Sequence, residues 1–366
     1  MRTKLLTISF LVYLLLASAA SAITREFALF KDGQRAYKNA EYEKALSYFN
    51  ESLTICRQVE RRDCIAANNN EIGVLYRVLG QYDEALRYYS EALDIYVNLR
   101  MQKDKARVIN NIGVVYNLRG QPDRALSYHE KALTIQKNLN DPLEVAYSLN
   151  SMGMVYADFG RYDNALSYYK EALAIRKDSN RLFEMAESLY NIGVILGELG
   201  QYNKALTYHQ EALEIRRKLN NPRELAESLR GMGAVYSGLR QYQKALFYHK
   251  KALTIQNRIK NPYDLAGTMY DIGVAYGGLE EYDKALTHYE KALRIYEELN
   301  VPHRIARSLD KIGRVYCNRN EDTQARTYFE KAFKLRTKID VTPVLGIVPR
   351  LHTCSETRER GIGVSP

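Results

Sequence analysis

Apolar and polar positions recur along most of the chain with a period of 40 residues. In residues 186–222, one apolar face has the i, i+3, i+4, i+7 spacing of an amphipathic helix: Leu189, Ile192, Gly193 and Leu196. Gly200 can end that helix in the left-handed conformation. A second apolar face then follows: Ala205, His209, Ala212 and Leu213. Asn221-Pro222 closes the unit, because proline suits the first turn of the next helix. Each unit is therefore predicted to be a helical hairpin.

Small residues mark the same positions in every unit. Glycine recurs at a constant spacing: Gly33, Gly73, Gly113, Gly153, Gly193, Gly233, Gly273 and Gly313. An alanine follows each glycine twelve residues later, from Ala45 to Ala325. This register predicts eight units: 26–65, 66–105, 106–145, 146–185, 186–225, 226–265, 266–305 and 306–345. A period near 40 with fixed small residues is typical of a stacked helical array. We therefore predict an all-α fold of stacked antiparallel helix pairs.

The pattern Leu189-x-x-Ile192-Gly193, Gly200-x-Tyr202-x-x-Ala205 and Ala212-Leu213 resembles the tetratricopeptide repeat. The spacing of 40 exceeds the usual 34 and is similar to that of kinesin light chain, Pins-type adaptors and many bacterial arrays. The resemblance covers nearly the whole chain after residue 22. It implies a right-handed superhelical solenoid that binds proteins or peptides in its concave groove.

The first 22 residues are predicted to be a secretory signal peptide. Arg2 and Lys4 precede an apolar run that ends in small residues, Ala20-Ser21-Ala22, which is the order that export signals use. We expect cleavage after Ala22 and an exported chain, periplasmic or secreted, that does not insert into a membrane. The alternative is an uncleaved anchor, because residues 5–22 approach the length that crosses a bilayer.

The two ends of the array depart from the repeat. The first unit has Ala36 where most units have tyrosine, and the last has Asn320 where glycine is usual; terminal repeats are often atypical because they cap the stack. Residues 346–366 contain proline and glycine without helical periodicity and are predicted to be an irregular, disordered tail. The alternative is that the array continues into a domain that this sequence does not contain.

Composition argues for packing and against nucleic-acid binding. The chain has 30 Tyr, nine Phe and no Trp, and most tyrosines fall at a few repeat positions, which indicates a repeated core contact. The net charge is +10. Lys204, Lys244 and Lys284 share one position, but Glu84 and Asn164 occupy it in other units. Without a continuous basic stripe to follow phosphates, we predict no nucleic-acid partner.

Motifs for catalysis or cofactor binding are missing from the sequence. His129, His209 and His249 occupy a position that holds Phe49 and Tyr89 in other units, so we interpret them as core fillers and predict no metal site. The sequence has no phosphate-binding glycine loop before a lysine, no His-Glu-x-x-His and no Gly-x-Ser-x-Gly. We predict that the chain is not an enzyme and uses no cofactor.

Two of the four cysteines flank the first turn between units. Cys56 ends one predicted helix and Cys64 begins the next. In an exported chain they could form a disulfide, and two free thiols in the core are the alternative, because the sequence does not fix their Cα separation. Cys317 and Cys354 are interpreted as isolated.

The first helix of each unit carries a candidate binding face. One row of positions holds Asn70, Asn110, Asn150, Tyr190, Arg230, Tyr270 and Asp310, and the next holds Glu71, Asn111, Ser151, Asn191, Gly231, Asp271 and Lys311. Asparagine is a poor helix former, yet its amide can donate to and accept from one extended backbone. The predicted peptide-binding residues are Asn70, Asn110, Asn111, Asn150, Asn191, Tyr190, Arg230, Val114 and Met154.

The sequence therefore predicts a non-catalytic scaffold for protein interactions that binds an extended partner segment. Self-association is left open. The rival hypothesis is a sensory or regulatory segment of a longer or split protein, whose catalytic effector domain would follow the last repeat.

Overall fold

A computed structural model describes residue 21 and residues 23–39, 41–259, 261–339 and 352–355. Between residues 23 and 339 the described chain forms sixteen helices and no strand. The first eight are α1 (23–38), α2 (Tyr42–Gln58), α3 (Arg62–Val78), α4 (Tyr82–Asn98), α5 (Gln102–Leu118), α6 (Pro122–Asn138), α7 (Pro142–Asp158) and α8 (Tyr162–Asp178). The others are α9 (Leu182–Glu198), α10 (Tyr202–Leu219), α11 (Pro222–Gly238), α12 (Tyr242–Ile259), α13 (Pro262–Gly278), α14 (Tyr282–Glu298), α15 (Pro302–Asn318) and α16 (Asp322–Ile339). The predicted all-α class with eight helix pairs is confirmed.

Residues in the left-handed backbone conformation separate the helices. Gly200, with φ +71°, ends α9, and the N–H of the next residue, Gln201, donates to the Leu196 carbonyl at 2.8 Å. Asn220 adopts the same conformation after α10, which asparagine tolerates better than most residues. Asn221 then accepts hydrogen bonds from the first backbone N–H groups of α11, and Pro222 occupies its first turn. The turn residues in the sequence thus set the hairpin geometry.

Apart from its eight repeats, the chain divides into two compact units: the first compact unit is residues 1–155, and the second compact unit is residues 156–366. Within each unit, consecutive helices pack against each other, and the repeated glycine lies where the two helices of a hairpin meet. A Cβ placed on Gly73 would lie 2.7 Å from the Tyr89 ring, and one placed on Gly193 would lie 2.9 Å from His209. Since real Cβ atoms do not approach that closely, the glycine is required by the ring opposite.

Tyrosine fills the core as the composition suggested. Tyr89 and Tyr289 are buried at the ring position of their hairpins. Other tyrosines stack in pairs across a hairpin, with ring centroids 5.4 Å apart for Tyr76 and Tyr88. Offset ring pairs of this kind contribute beyond their buried area. The tyrosine excess therefore belongs to packing.

The structure pairs all four cysteines. Cys56 bonds to Cys64 across the turn between α2 and α3, with their Cα atoms 5.7 Å apart, within the range that disulfides use. Cys317 and Cys354 also form a disulfide, with Cα atoms 5.2 Å apart, so their interpretation as isolated thiols was wrong. The reason is that Cys354 lies beside the end of α15, a contact that the repeat register does not encode.

Of the predicted tail, the structure describes only residues 352–355. His352 lies against Phe329 with ring centroids 5.8 Å apart, and its Nδ1 is 3.4 Å from Asp310 Oδ1. The rest of the predicted disordered tail lies outside the described residues, as do the predicted signal peptide, residue 21 excepted, and its cleavage site. Among the described helices, none has the length and apolar character needed to cross a membrane.

Candidate functional site

In the first compact unit, residues 1–155, all four predicted peptide-binding asparagines are buried: Asn70, Asn110, Asn111 and Asn150. Asn110 is fully buried. Its Oδ1 accepts from His129 Nδ1 at 2.6 Å and from the Ser148 hydroxyl at 3.2 Å, and its Nδ2 donates to Ser151 Oγ at 3.3 Å. Because both ends of the amide already have partners inside the protein, Asn110 is not presented to a ligand. The expectation that it holds a peptide backbone is corrected.

Asn70 and Asn111 form a second buried connection. Asn111 Nδ2 donates to Asn70 Oδ1 at 2.9 Å, and Asn70 Nδ2 donates to Glu71 Oε1 at 3.2 Å. The first of these bonds joins α3 to α5, and the second lies within α3. Burial raises the pKa of Glu71, and the Asn70 amide and Arg107 oppose that rise. The two asparagines therefore hold adjacent repeats together, and both are less than 10% exposed.

The apolar part of the predicted face is more accessible. Met154 is 43% exposed on α7, and Val114 is partly buried on α5. Asn150, one helical turn before Met154, is buried, with its Nδ2 3.9 Å from the Met154 sulfur. Of the predicted binding residues in this compact unit, only the apolar Val114 and Met154 reach the surface, and the asparagines are buried.

The second compact unit, residues 156–366, contains a groove of about 410 Å³ lined by residues of helices α9 to α13 and of α15. Two predicted binding residues, Tyr190 and Arg230, line it. The third one in this unit, Asn191, is partly buried and does not line it. Arg230 Nε lies 3.1 Å from Asp271 Oδ2, which fixes the guanidinium beside the groove.

Small residues give the groove its depth. Gly193, Gly197, Gly231, Ala234 and Gly238 all line it. A Cβ on Gly231 would lie 2.8 Å from the His209 ring and 3.0 Å from Tyr190. At Gly197, by contrast, a Cβ would meet nothing within 4 Å. A side chain added at Gly197 would therefore project into the groove without displacing the core.

Basic residues of α15 line the groove beside Arg230. Arg304, Arg307 and Lys311 follow one face at i, i+3 and i+7. Arg307 Nε donates to the Tyr270 hydroxyl at 3.1 Å. Lys311 has no ion pair or hydrogen bond within the described part of the chain, and burial, with Arg314 and Arg307 nearby, lowers its pKa to about 8.

Two buried histidines lie at the groove's wall. Burial, and secondarily Arg216, lowers the pKa of His209 to about 4; burial also lowers the pKa of His249. Both rings are therefore neutral at pH 7. Neither ring nitrogen of His249 has a hydrogen-bond partner among the described residues. The groove's wall therefore has imidazole nitrogens without hydrogen-bond partners among the described residues, close to tyrosine rings.

Four cations and two carboxylates, Glu198 and Asp271, line the groove. Positive charge in a partly buried site, with tyrosine rings around it, suits an anionic group. Sequence reasoning placed Tyr270, Asp271 and Lys311 in the correct rows without selecting them. It missed Arg304 and Arg307, although their spacing from Lys311 on one predicted helix was a readable signal.

Comparison with known proteins supports the repeat assignment. The sequence profile described as tetratricopeptide repeat matches residues 36–98, 104–178, 184–258 and 264–338. No curated protein matches the chain significantly.

Solved structures share the fold at low sequence identity. The apo quorum sensor NprR from B. thuringiensis is 14% identical with a TM-score of 0.64, and the match covers 85% of this chain and 87% of that one. A Rap protein complexed with competence and sporulation factor is 16% identical with a TM-score of 0.60, covering 75% and 78%. BtubC (BKLC) from P. vanneervenii is 23% identical with a TM-score of 0.52, covering 60% and 91%.

Proposed function

The chain belongs to the tetratricopeptide repeat family, and from this premise we propose that it is a non-catalytic scaffold that binds an extended, carboxylate-bearing segment of a protein partner in the groove of its second unit. The observation that carries the proposal is the cation excess of that groove. Arg230 and Arg307 are already positioned by neighbouring side chains, whereas Lys311 has no anionic partner among the described residues.

The geometry suits a peptide better than a compact small molecule. The groove is lined by residues of four successive repeats. Tyr190 and Tyr270 supply rigid rings and hydroxyl groups, which are effective at peptide interfaces because they lose little conformational entropy. An extended segment would place successive side chains against successive repeats.

Two of the structural relatives support a regulatory interaction role. One was solved in complex with competence and sporulation factor, and another is a quorum sensor. The likeness to them is one of fold, so the ligand class proposed here rests on the charges of this chain's own groove.

We further propose that the chain is exported. The motive is the order of charged, apolar and small residues in the first 22 positions. The two disulfides support it, because structural disulfides persist mainly in oxidising compartments. Mass measurement of the mature protein should find Ile23 as its first residue, and a retained Met1 would replace export by membrane anchoring.

The groove is tested by filling it. A random peptide library displayed on phage is selected against the wild-type chain, and the selected sequences are expected to be enriched in Asp and Glu. Gly197→Leu should weaken binding of a selected synthetic peptide by at least 10-fold, because the new side chain projects into the groove. Lys311→Ala should weaken it by roughly 10- to 100-fold, as expected for one hydrogen bond to a charged group.

Gly277→Leu is the matched control. It lies two repeats from Gly197 at the same repeat position, does not line the groove, and a Cβ there would meet only the Tyr289 hydroxyl at 3.9 Å. Peptides that bind Gly197→Leu as tightly as the wild type would exclude this groove as the binding site. Selected peptides without acidic residues would exclude the proposed ligand class.

A further inference from the structure

A cluster of chemically reactive and charged side chains lies at the first turn between repeats. Glu26 comes from α1, Cys56 from the end of α2, and Cys64 and Asn68 from the start of α3. All four are buried. A carboxylate oxygen of Glu26 and the sulfur atoms of Cys56 and Cys64 lie within 4.8 Å of one another.

The repeat itself shows that this cluster is exceptional. The position of Glu26 holds a buried alanine in each of the other units: Ala66, Ala106, Ala146, Ala186, Ala226, Ala266 and Ala306. Where Cys56 and Asn68 stand, later repeats have hydrogen-bonded pairs such as Gln136 and Ser148. Burying a carboxylate where alanine packs well costs free energy, so Glu26 calls for a reason beyond packing.

The carboxylate of Glu26 is oriented by one neighbour and faces two sulfurs. Its Oε1 lies 2.7 Å from Arg61 Nη1. Its Oε2 lies 3.1 Å from Cys64 Sγ and 3.9 Å from Cys56 Sγ. With one oxygen held by the guanidinium, the other is directed at the cysteine pair.

Asn68 completes the cluster from the α3 side. Its Nδ2 donates to the Cys64 carbonyl at 3.0 Å and lies 3.4 Å from Cys56 Sγ. Its Oδ1 is buried and has no hydrogen-bond partner in the described part of the chain. In the oxidised protein this buried amide oxygen, beside two sulfurs and a carboxylate, therefore has no hydrogen-bond partner among the described residues. Such an oxygen is available as a neutral metal ligand.

We propose that reduction of the Cys56–Cys64 disulfide converts this cluster into a binding site for a thiophilic divalent cation of the zinc class. The ligands are the two thiolates and the Glu26 carboxylate, and Arg61 orients Glu26 from the outer shell, as carboxylate ligands commonly require. Asn68 offers the neutral oxygen nearest to the remaining position.

The chemistry balances with a dithiol as reductant. The dithiol gives two electrons and two protons to the disulfide, becomes a disulfide itself and leaves two thiols on the protein. The cation then replaces both thiol protons, which are released to water. Two thiolates, Glu26, Arg61 and the divalent cation sum to zero charge. The oxidised pair with Glu26 and Arg61 also sums to zero, so neither state buries a net charge.

The experiment uses the full chain and Co²⁺ as a spectroscopic probe, followed by competition with Zn²⁺. The protein is reduced with a dithiol, desalted without oxygen and titrated. We expect one Co²⁺ per chain with a thiolate-to-metal charge-transfer band and the visible bands of tetrahedral Co²⁺, and we expect neither in the oxidised protein. Cys56→Ser should abolish both features, which separates this site from the thiols of Cys317 and Cys354.

Glu26→Ala is the decisive variant, because alanine is the residue that seven other repeats use at this position. The variant should fold, as judged by circular dichroism. It should bind the cation at least roughly 10- to 100-fold more weakly, because loss of an outer-shell partner alone has an effect of that size. Arg61→Gln should weaken it within that range. Unchanged affinity in Glu26→Ala, or no charge-transfer band after reduction, would overturn the proposed site. Neither result bears on the groove of the second unit.

Discussion

Arg176 donates from Nη1 to the Ser188 hydroxyl at 2.6 Å, across the turn between two successive repeats. The same guanidinium donates to the Glu184 carbonyl at 2.9 Å and lies 3.2 Å from a Glu187 carboxylate oxygen. One repeat further along, Arg216 makes the equivalent bond to Ser228 at 2.9 Å. A buried arginine with matched acceptors thus ties each of these repeats to the next.

Ser188→Ala should destabilise the second unit by about 1 to 3 kcal/mol, because it removes an acceptor from a buried charged group. Chemical denaturation monitored by circular dichroism measures the change. Ser167→Ala, at an exposed position of the neighbouring helix α8, is the control and should change the free energy of unfolding by less than about 0.5 kcal/mol. Equal effects of the two substitutions would mean that the buried bond contributes nothing specific.

Two glycine-to-alanine substitutions in the second compact unit should change stability in opposite directions. Gly273→Ala would bring a Cβ to 2.8 Å from the Tyr289 ring and should cost about 1 to 3 kcal/mol through overpacking. Gly197→Ala meets no atom within 4 Å and should stabilise by up to about 1 kcal/mol, because alanine is the better helix former. Thermal unfolding distinguishes the two, and a loss of stability at both positions would contradict the assigned helix contacts.

Asn110→Ala is expected to lower stability even though alanine favours the helix. The substitution leaves His129, Ser148 and Ser151 without the amide they contact, at a cost of about 1 to 3 kcal/mol for buried groups left unsatisfied. Gln102→Ala, at an exposed position of the same helix, serves as the control. A gain in stability for Asn110→Ala would restore the surface role first expected of this residue.

The repeat period of the sequence predicted which positions lie on the same helix face. It did not predict how buried each side chain is. In every repeat a ring follows the repeated glycine by sixteen residues, as Tyr89 follows Gly73 and His209 follows Gly193, so the repeat alone indicates that these positions are paired. Asn110 was placed on the correct helix, but the inner surface and the interface between repeats are neighbouring faces of that helix. Choosing between them depends on how closely the next repeat packs, which periodicity does not encode. The Cys317–Cys354 bond depends on the path of the chain beyond the last repeat, where no periodicity exists.

The two disulfides should both be present in protein isolated without reductant. Alkylation before and after reduction, followed by peptide mass measurement, should show Cys56, Cys64, Cys317 and Cys354 labelled only after reduction. The bonds are expected to stabilise by about 2 to 4 kcal/mol each, with the larger contribution from Cys317–Cys354, because it closes a loop with a sequence separation of 37 against 8. Labelling of any of the four thiols before reduction would contradict the pairing.

Mild acid should destabilise the second unit through His209. Burial, assisted by Arg216, lowers the pKa of this histidine to about 4 in the folded chain, whereas the unfolded chain has a pKa near 6.5. The unfolded state therefore binds a proton first as the pH falls, and the stability contribution present at pH 7 is lost between about pH 6.5 and pH 4. His209→Phe removes this titration, and Phe49 and Phe329 show that phenylalanine fits the equivalent position.

The expected result is a difference in pH dependence between two otherwise similar proteins. On going from pH 7 to pH 4.5, the free energy of unfolding of the wild type should fall by on the order of 2 to 3 kcal/mol more than that of His209→Phe, from the linkage between pKa and stability. Denaturant titrations at several pH values measure both curves, and titrations of Lys204→Ala, an exposed substitution on the same helix, provide the baseline. Because both variants keep the same carboxylates, acid effects of those groups cancel in the comparison. Parallel curves for wild type and His209→Phe would show that His209 is not held neutral by burial, and would place its ring in contact with solvent.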